Sequence, residues 1–199
     1  MSTSRLEAFS DGVLAIIITI MVLELRPPEG HVEFADLQRL TPVAISYVLS
    51  FVYLGIYWNN HHHMLHVTQR ATGGILWANL HLLFWLSLVP FVSGWMGENH
   101  FAPVPTSVYG VVLLLAAIAY FILQQVIIAA EGNHSVLAAA VGSDWKGKLS
   151  PVLYLVAIPT ALWYPLVACA IYAFVAIIWL VPDPRIERMV AETESPEPE

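Results

Sequence analysis

The sequence predicts an all-α integral membrane protein with six transmembrane helices per subunit and both termini in the cytoplasm. Of its 199 residues, 58% are hydrophobic and only 12% are charged, whereas a soluble domain has roughly 25% charged residues. The apolar residues are grouped in runs of about 20, the length that a helix needs to cross a bilayer while pairing its own backbone groups. Lysine and arginine lie mainly on one side of these runs, which orients the helices.

The first helix is predicted to run from about Arg5 to Leu25. The uncharged segment between Asp11 and Glu24 is too short to cross a bilayer core of about 30 Å on its own. The spanning helix therefore includes Asp11, which then lies within or near the membrane. An ionisable side chain at that depth needs partners, and by default it indicates a functional site.

Three further segments without a charged residue predict the second to fourth spans: 40–58, 75–97 and 101–130. The uncharged segment 149–182 is too long for one helix. Near its middle, the group Pro159, Trp163, Tyr164 and Pro165 predicts a tight hairpin between two short helices. Together these segments give six helices in one domain.

The distribution of basic residues sets the orientation of the bundle. Six of them are expected on the cytoplasmic side: Arg5, Arg70, Lys146, Lys148, Arg185 and Arg188. Only Arg26 and Arg39 fall on the other side, so both termini are predicted to be cytoplasmic. We expect residues 1–182 to form a multi-pass domain of the cell membrane, surrounded by lipids. Residues 183–199 form an acidic tail, which we expect to be a solvated, disordered extension.

Composition excludes several classes of function. A formal net charge of -7 leaves no basic patch to bind a nucleic acid. Cys169 is the only cysteine, which excludes a disulfide framework and a cysteine zinc site.

A histidine cluster in the second helix suggests a metal at first. His62 and His66 are four residues apart on one helix face, a spacing found in zinc sites. No acidic or cysteine partner stands at ligand spacing, so we interpret them as a surface or bracing cluster. We expect no metal, no cofactor and no enzymatic activity, and modulation by pH stays open because histidine titrates near neutrality.

Four side chains of the first helix share one face because they follow the i, i+3, i+4, i+7 spacing: Ile16, Thr19, Ile20 and Leu23. Two interpretations of this stripe remain open. It can pack against other helices of the same subunit, with the Thr19 hydroxyl bonded to the carbonyl four residues earlier. Alternatively, it lies on a symmetry axis between subunits, where large side chains narrow a water path that closes by dewetting.

The start of this helix carries a longer motif. Four residues form the pattern R-x-x-x-F-S-D: Arg5, Phe9, Ser10 and Asp11. In the second helix, Trp58 and His61 form W-x-x-H. These motifs and the six-helix layout resemble the transmembrane protein 175 family of potassium channels, found in animal lysosomes and in prokaryotic membranes. The resemblance covers nearly the whole chain and leaves out only the acidic tail.

The resemblance implies a set of site residues and partners. In this family the first helix lines the pore, with its constriction at the position of Ile16. A threonine ring that contributes to potassium selectivity corresponds to Thr19, and a second aliphatic ring corresponds to Leu23, with Ile20 beside the path. Single-repeat members are tetramers, so the chain is expected to form a homotetramer that conducts potassium ions.

We therefore expect a modestly potassium-selective cation channel. The segment Val108-Tyr109-Gly110 lacks the glycines and the short pore helix of a carbonyl filter, so selectivity would arise from side chains. Two alternatives are a proton-permeable channel and a small-solute transporter. The second fits less well, because the prolines lie at span ends and not in the mid-membrane breaks typical of transporters.

The motif residues also predict a polar network at the cytoplasmic end. The second helix is expected to bring its polar residues to the depth of Asp11, where charge-assisted hydrogen bonds can satisfy them. The motif and network residues are Arg5, Phe9, Ser10, Asp11, Trp58, Asn60, His61 and, from the third helix, Asn79. We expect them to brace the tilt of the first helix and not to bind ions.

Overall fold

The computed structural model describes residues 3–27, 33–132, 135, 137–138 and 145–180, and every secondary-structure element within these ranges is helical. The α-helices are α1 Thr3–Ile20, α2 Phe34–Arg39, α3 Thr41–His66, α4 Gly73–Ser87, α5 Val89–Glu98, α6 Pro103–Glu131, α7 Trp145–Ala161 and α8 Pro165–Leu180. A 3₁₀ turn, Met21–Glu24, continues α1. The predicted acidic tail, residues 183–199, lies outside the described residues.

Four stretches are long and apolar enough to cross a membrane: Thr3–Glu24, Thr41–His66, Gly73–Glu98 and Pro103–Glu131. They correspond to the first four predicted spans, and α8 is a shorter apolar helix. The all-helical membrane fold is therefore confirmed for the described part of the chain. α3 continues to His66, beyond the uncharged run 40–58, and carries the histidine cluster as expected. Polar side chains end a hydrophobic run without interrupting the i to i−4 hydrogen bonds.

The third predicted span consists of two helices that meet at Leu88, so the expectation that the prolines lie at span ends is wrong for Pro90. Pro90 has no N–H to donate to the Leu86 carbonyl, and its ring crowds that carbonyl, so a continuous α-helix is interrupted here. The Leu88 N–H donates to the Trp85 carbonyl at 3.2 Å, a 3₁₀-type bond that closes the last turn of α4.

α7 and α8 form the hairpin that the sequence predicts. The Tyr164 N–H donates to the Thr160 carbonyl at 2.8 Å in the connecting turn. Pro165 takes the first position of α8, where a missing N–H is tolerated. Trp163 and Tyr164 are exposed at the tip, as expected of aromatic residues at a membrane–water interface.

Buried hydroxyl groups join the helices inside the subunit. Ser50 on α3 bonds to Ser93 on α5 at 2.9 Å and to Tyr109 on α6 at 3.0 Å. Tyr53 on α3 donates to the Tyr172 carbonyl on α8 at 2.6 Å. In a membrane, where lipid is as apolar as the side chains, such bonds and close packing drive helix association.

α3 and α5 approach each other closely at Gly97. A Cβ at this position would lie 2.7 Å from the Cα of Val43, a contact that real Cβ atoms do not make. The end of α5 is therefore held against the start of α3, and this close approach requires glycine.

Candidate functional site

α1 has two faces with different surroundings. One face packs inside the subunit, and its buried residues are spaced three and four apart: Leu6, Ser10, Leu14, Ile17 and, in the 3₁₀ turn, Met21. The other face carries the stripe Ile16, Thr19, Ile20 and Leu23, which is exposed along its whole length. The exposed fraction is 62% for Ile16 and 70% for Leu23. The stripe is therefore not packed within its own subunit, contrary to the first of the two interpretations of its periodicity.

Thr19 is the one polar residue of the stripe. Its hydroxyl lies 2.9 Å from the Ala15 carbonyl and 3.0 Å from the Ile16 carbonyl of its own helix. The hydroxyl hydrogen is thus directed at the helix backbone. The oxygen lone pairs remain available on the exposed side, where they can accept a hydrogen bond or contact a cation.

In the N-terminal half of α1, Asp11 accepts a hydrogen bond from the indole of Trp58 on α3. The distance from Trp58 Nε1 to Asp11 Oδ1 is 3.0 Å. Because the carboxylate is charged, this bond is stronger than one between neutral groups. It links α1 to α3 on the partly exposed side of the subunit.

A second set of hydrogen bonds lies in the buried interior. His61 Nε2 and Asn79 Oδ1 are 2.6 Å apart, and Asn79 Nδ2 donates to Ser10 Oγ at 2.9 Å. Ser10 in turn donates to the Leu6 carbonyl at 2.9 Å. With the Asn79 amide nitrogen facing Ser10, its oxygen accepts from His61, so Nε2 carries the proton. These hydrogen bonds connect α1, α3 and α4, and each polar group in them has a partner. Buried polar networks require such complete pairing.

Three predicted members lie outside these contacts: Arg5, Phe9 and Asn60. Arg5 is exposed, and within the described ranges it makes no ion pair or hydrogen bond. Six positions separate it from Asp11, which places the two side chains about 120° apart around the helix. Asn60 donates to the Ile56 carbonyl of its own helix at 2.8 Å. Phe9 of the motif is half exposed, so the single network predicted from the sequence is in fact two separate sets of contacts.

The histidine cluster forms a ladder of rings on α3. His62 stacks between Trp58 and His66, with both centroid distances 6.1 Å. Among the described residues, no group of three or more histidine, cysteine, aspartate or glutamate side chains is arranged to hold a metal ion.

The C-terminal end of the stripe has a support that the sequence pattern did not indicate. The Glu24 carboxylate packs directly on Gly94 of α5, where a Cβ would overlap with it. Ser93 and Gly97 stand four residues apart in this apolar helix, the spacing of small residues that indicates a close helix approach, and Gly94 follows Ser93 directly.

Comparison with known proteins identifies the family. A family profile described as "Endosomal/lysosomal potassium channel TMEM175" matches residues 5–90. A protein named as a potassium channel in a Chryseobacterium species is 53% identical over 192 residues, covering 96% of this chain and 100% of that protein. The chain belongs to the TMEM175 family. The resemblance seen in the sequence motifs is thereby confirmed.

A solved TMEM175 structure has the same fold. It is a crystal structure described as a lysosomal potassium-selective channel TMEM175 homolog from Chamaesiphon minutus, with a TM-score of 0.78 and 30% identity over 90% of this chain and 96% of that chain. The endosomal/lysosomal proton channel TMEM175 of Danio rerio is 38% identical over 85 residues, covering 36% of this chain and 16% of that protein.

Proposed function

We propose that this chain forms a potassium channel in which four copies of α1 surround the ion path. The observation that carries the proposal is the exposed stripe on α1, which lies on a helix whose other face is fully occupied by its own subunit. Membership of the TMEM175 family supports the same function, since the Chryseobacterium relative is named as a potassium channel.

We assign six membrane-spanning helices to each subunit, with α7 and α8 as the two short ones and both termini in the cytoplasm. The hairpin with exposed Trp163 and Tyr164 at its tip supports a re-emergence at the membrane surface. Arg70, Lys146 and Lys148 then lie on the cytoplasmic side, in accordance with the positive-inside rule. The expected location is the cell membrane.

Ile16 is proposed as the constriction of the pore. Four copies of this exposed, branched side chain around an axis would narrow the path and exclude water from it. Leu23 would form a second apolar ring toward the outer side, and Ile20 would line the path beside it. Thr19 would present its oxygen lone pairs between these rings, so that a partly dehydrated cation meets a ligand there.

Selectivity in this arrangement depends on how easily each ion sheds its water. Potassium sheds its water more readily than sodium, so an apolar ring beside a hydroxyl ring favours potassium to a modest degree. A carbonyl filter is not needed for this discrimination.

The contacts at the cytoplasmic end are proposed as braces for α1. The Asp11–Trp58 bond and the Ser10–Asn79–His61 chain hold the helix from two sides. Four pore-lining helices at a shared axis need a fixed tilt, because a small rotation would move Ile16 away from the axis.

The test is reconstitution of the purified chain into liposomes with a potassium gradient. We expect potassium flux above that of empty liposomes, and a larger flux for Ile16→Ala because the smaller side chain widens the constriction. Flux equal to that of empty liposomes would refute the channel, whereas equal sodium and potassium flux would refute only the selectivity.

The tetramer has a separate test. Ile16→Cys in a Cys169→Ala background is treated with a short bismaleimide in liposomes, with Ile17→Cys as the matched control. We expect crosslinked subunits for Ile16→Cys and none for Ile17→Cys, since Ile17 is buried within its subunit. Crosslinking of both or of neither variant would contradict a shared axis lined by the stripe.

Proton permeability is a second candidate function. It is favoured by the name of the Danio rerio relative, which is a proton channel. A pH-sensitive dye inside the same liposomes measures proton entry directly. The potassium gradient is set so that it drives protons into the liposomes. Acidification no faster than in empty liposomes would remove this candidate and leave the potassium channel untouched.

A further inference from the structure

A cavity of about 50 Å³ lies between α3, α6, α7 and α8. As far as the described residues go, its lining includes no residue of α1, so it is separate from the stripe. At roughly 10–15 Å³ for each water molecule, the space holds about three to five waters. A single small ring displaces a comparable number of waters.

The walls of this cavity are largely aromatic and carry no charge. The aromatic lining includes Tyr57, Tyr120, Phe121, Tyr154 and Trp179. The rings of Tyr57 and Tyr120 meet edge to face, with centroids 6.1 Å apart and an angle of 66°. Walls of this kind accept the faces and edges of another ring, and they disfavour a charged ligand, which would lose its hydration without gaining a counter-ion.

Two polar groups in the wall make no hydrogen bond within the described ranges, the Tyr57 hydroxyl and the Gln124 amide. Gln124 lines the cavity and is only 5% exposed. Among the described residues, the fully buried side-chain polar atom without a partner is Thr106 Oγ1 and not an atom of Gln124. The Gln124 amide is therefore accessible from the cavity, where water or a ligand can pair with it. Its carbonyl accepts and its amino group donates, so a ligand that can do both suits it best.

We propose that this cavity binds one small uncharged molecule of the phenol class. The ring packs between the aromatic walls, and the hydroxyl bonds to the Gln124 amide. Asn60 lies in the same wall and uses its amino group on the Ile56 carbonyl, which leaves its side-chain oxygen as a further acceptor for the hydroxyl. The site lies among the apolar helices of the subunit, so a ligand that partitions into membranes can reach it.

The test measures binding of two probes of nearly equal shape, 4-fluorophenol and 4-fluorotoluene, by fluorine NMR titration of the full chain in detergent. The second probe lacks the hydroxyl. We expect saturable binding of both probes to the wild-type chain. In Gln124→Leu, the affinity for 4-fluorophenol should fall about 3- to 10-fold relative to the affinity for 4-fluorotoluene, which corresponds to the loss of one hydrogen bond. Gln125→Leu is the matched control, because Gln125 is the next residue and is exposed.

A second variant fills the cavity. Ala117 lies in its wall, and Ala117→Phe is expected to abolish saturable binding of both probes, while Ala130→Phe, at an exposed position of the same helix, leaves binding intact. The proposal is overturned if the wild-type chain shows no saturable binding, if Ala117→Phe binds as well as wild type, or if Gln124→Leu keeps the wild-type preference. None of these readouts depends on ion flux, so their failure is distinct from a failure of the channel assignment.

Discussion

The two faces of α1 carry similar side chains, but one face is buried inside the subunit and the other is exposed. Ile17 is 4% exposed and Ile16, the next residue, is 62% exposed. Each face also carries one hydroxyl: Ser10 accepts from Asn79 on another helix, whereas Thr19 bonds only to its own backbone. Side-chain type therefore does not distinguish the face that folds the subunit from the face left for a partner. Only the position on the helix does so.

The largest effect is expected for the adjacent isoleucines. Ile17→Ala removes buried packing and should lower the free energy of unfolding by roughly 2–5 kcal/mol, whereas Ile16→Ala should change it by less than about 0.5 kcal/mol. Denaturation of both variants in the same detergent measures the difference. An equal loss of stability would mean that the stripe is packed within the subunit, and the contrast between the faces would disappear.

The next effect concerns the contact between α1 and α3. Asp11→Ala removes a hydrogen bond to a charged group, a loss of about 1.5–3 kcal/mol, and should reduce the amount of folded tetramer recovered by size-exclusion chromatography. Trp58→Phe removes the same bond from the other side and should reproduce the loss. A stable Asp11→Ala variant that assembles normally but conducts with altered selectivity would assign Asp11 to ion binding instead.

A similar loss is expected in the buried chain of hydrogen bonds. Asn79→Leu keeps the volume but leaves Ser10 and His61 without their partner, which costs about 1–3 kcal/mol for a buried group. Asn59→Leu is the control, because Asn59 is exposed on α3 and should change stability by less than about 0.5 kcal/mol. Equal thermal stability of the two variants would show that these hydrogen bonds do not hold α1 in place.

The smallest effect on stability is expected at Thr19. Thr19→Val preserves the shape and should leave the unfolding free energy within about 0.5 kcal/mol, but it should lower the ratio of potassium to sodium flux in liposomes. Thr160→Val is the control, since Thr160 is partly exposed and also bonds to its own helix, at 2.7 Å. An unchanged flux ratio in Thr19→Val would remove the hydroxyl ring from the selectivity mechanism.

Much of the fold could be predicted because its signals are local. The length of an apolar run predicts a span whatever the rest of the chain does. Pro159, Trp163, Tyr164 and Pro165 marked the hairpin for the same reason. The break at Leu88 was also indicated in the sequence, because Pro90 has no backbone N–H to donate. The length of an apolar run contains no information about such a missing donor.

The candidate site was less predictable because hydrogen bonds depend on rotamers and on the angle around each helix. Placing residues at one depth put Arg5 and Asn60 beside Asp11. In the structure, Arg5 lies on a different side of α1, and the Asn60 amide donates to the Ile56 carbonyl of its own helix. The cavity could not be predicted at all, since its wall comes from four helices whose spacing no local pattern encodes.

Within two turns, α3 both lines the cavity and contacts α1 and α4. Tyr57 and Asn60 line the cavity, whereas Trp58 and His61, each the next residue along, contact α1 and α4. Because a packed helix moves as a rigid rod, a shift of α3 displaces both sets at once. A molecule bound in the cavity would therefore also restrict the movement of the α3 residues that contact α1 and α4.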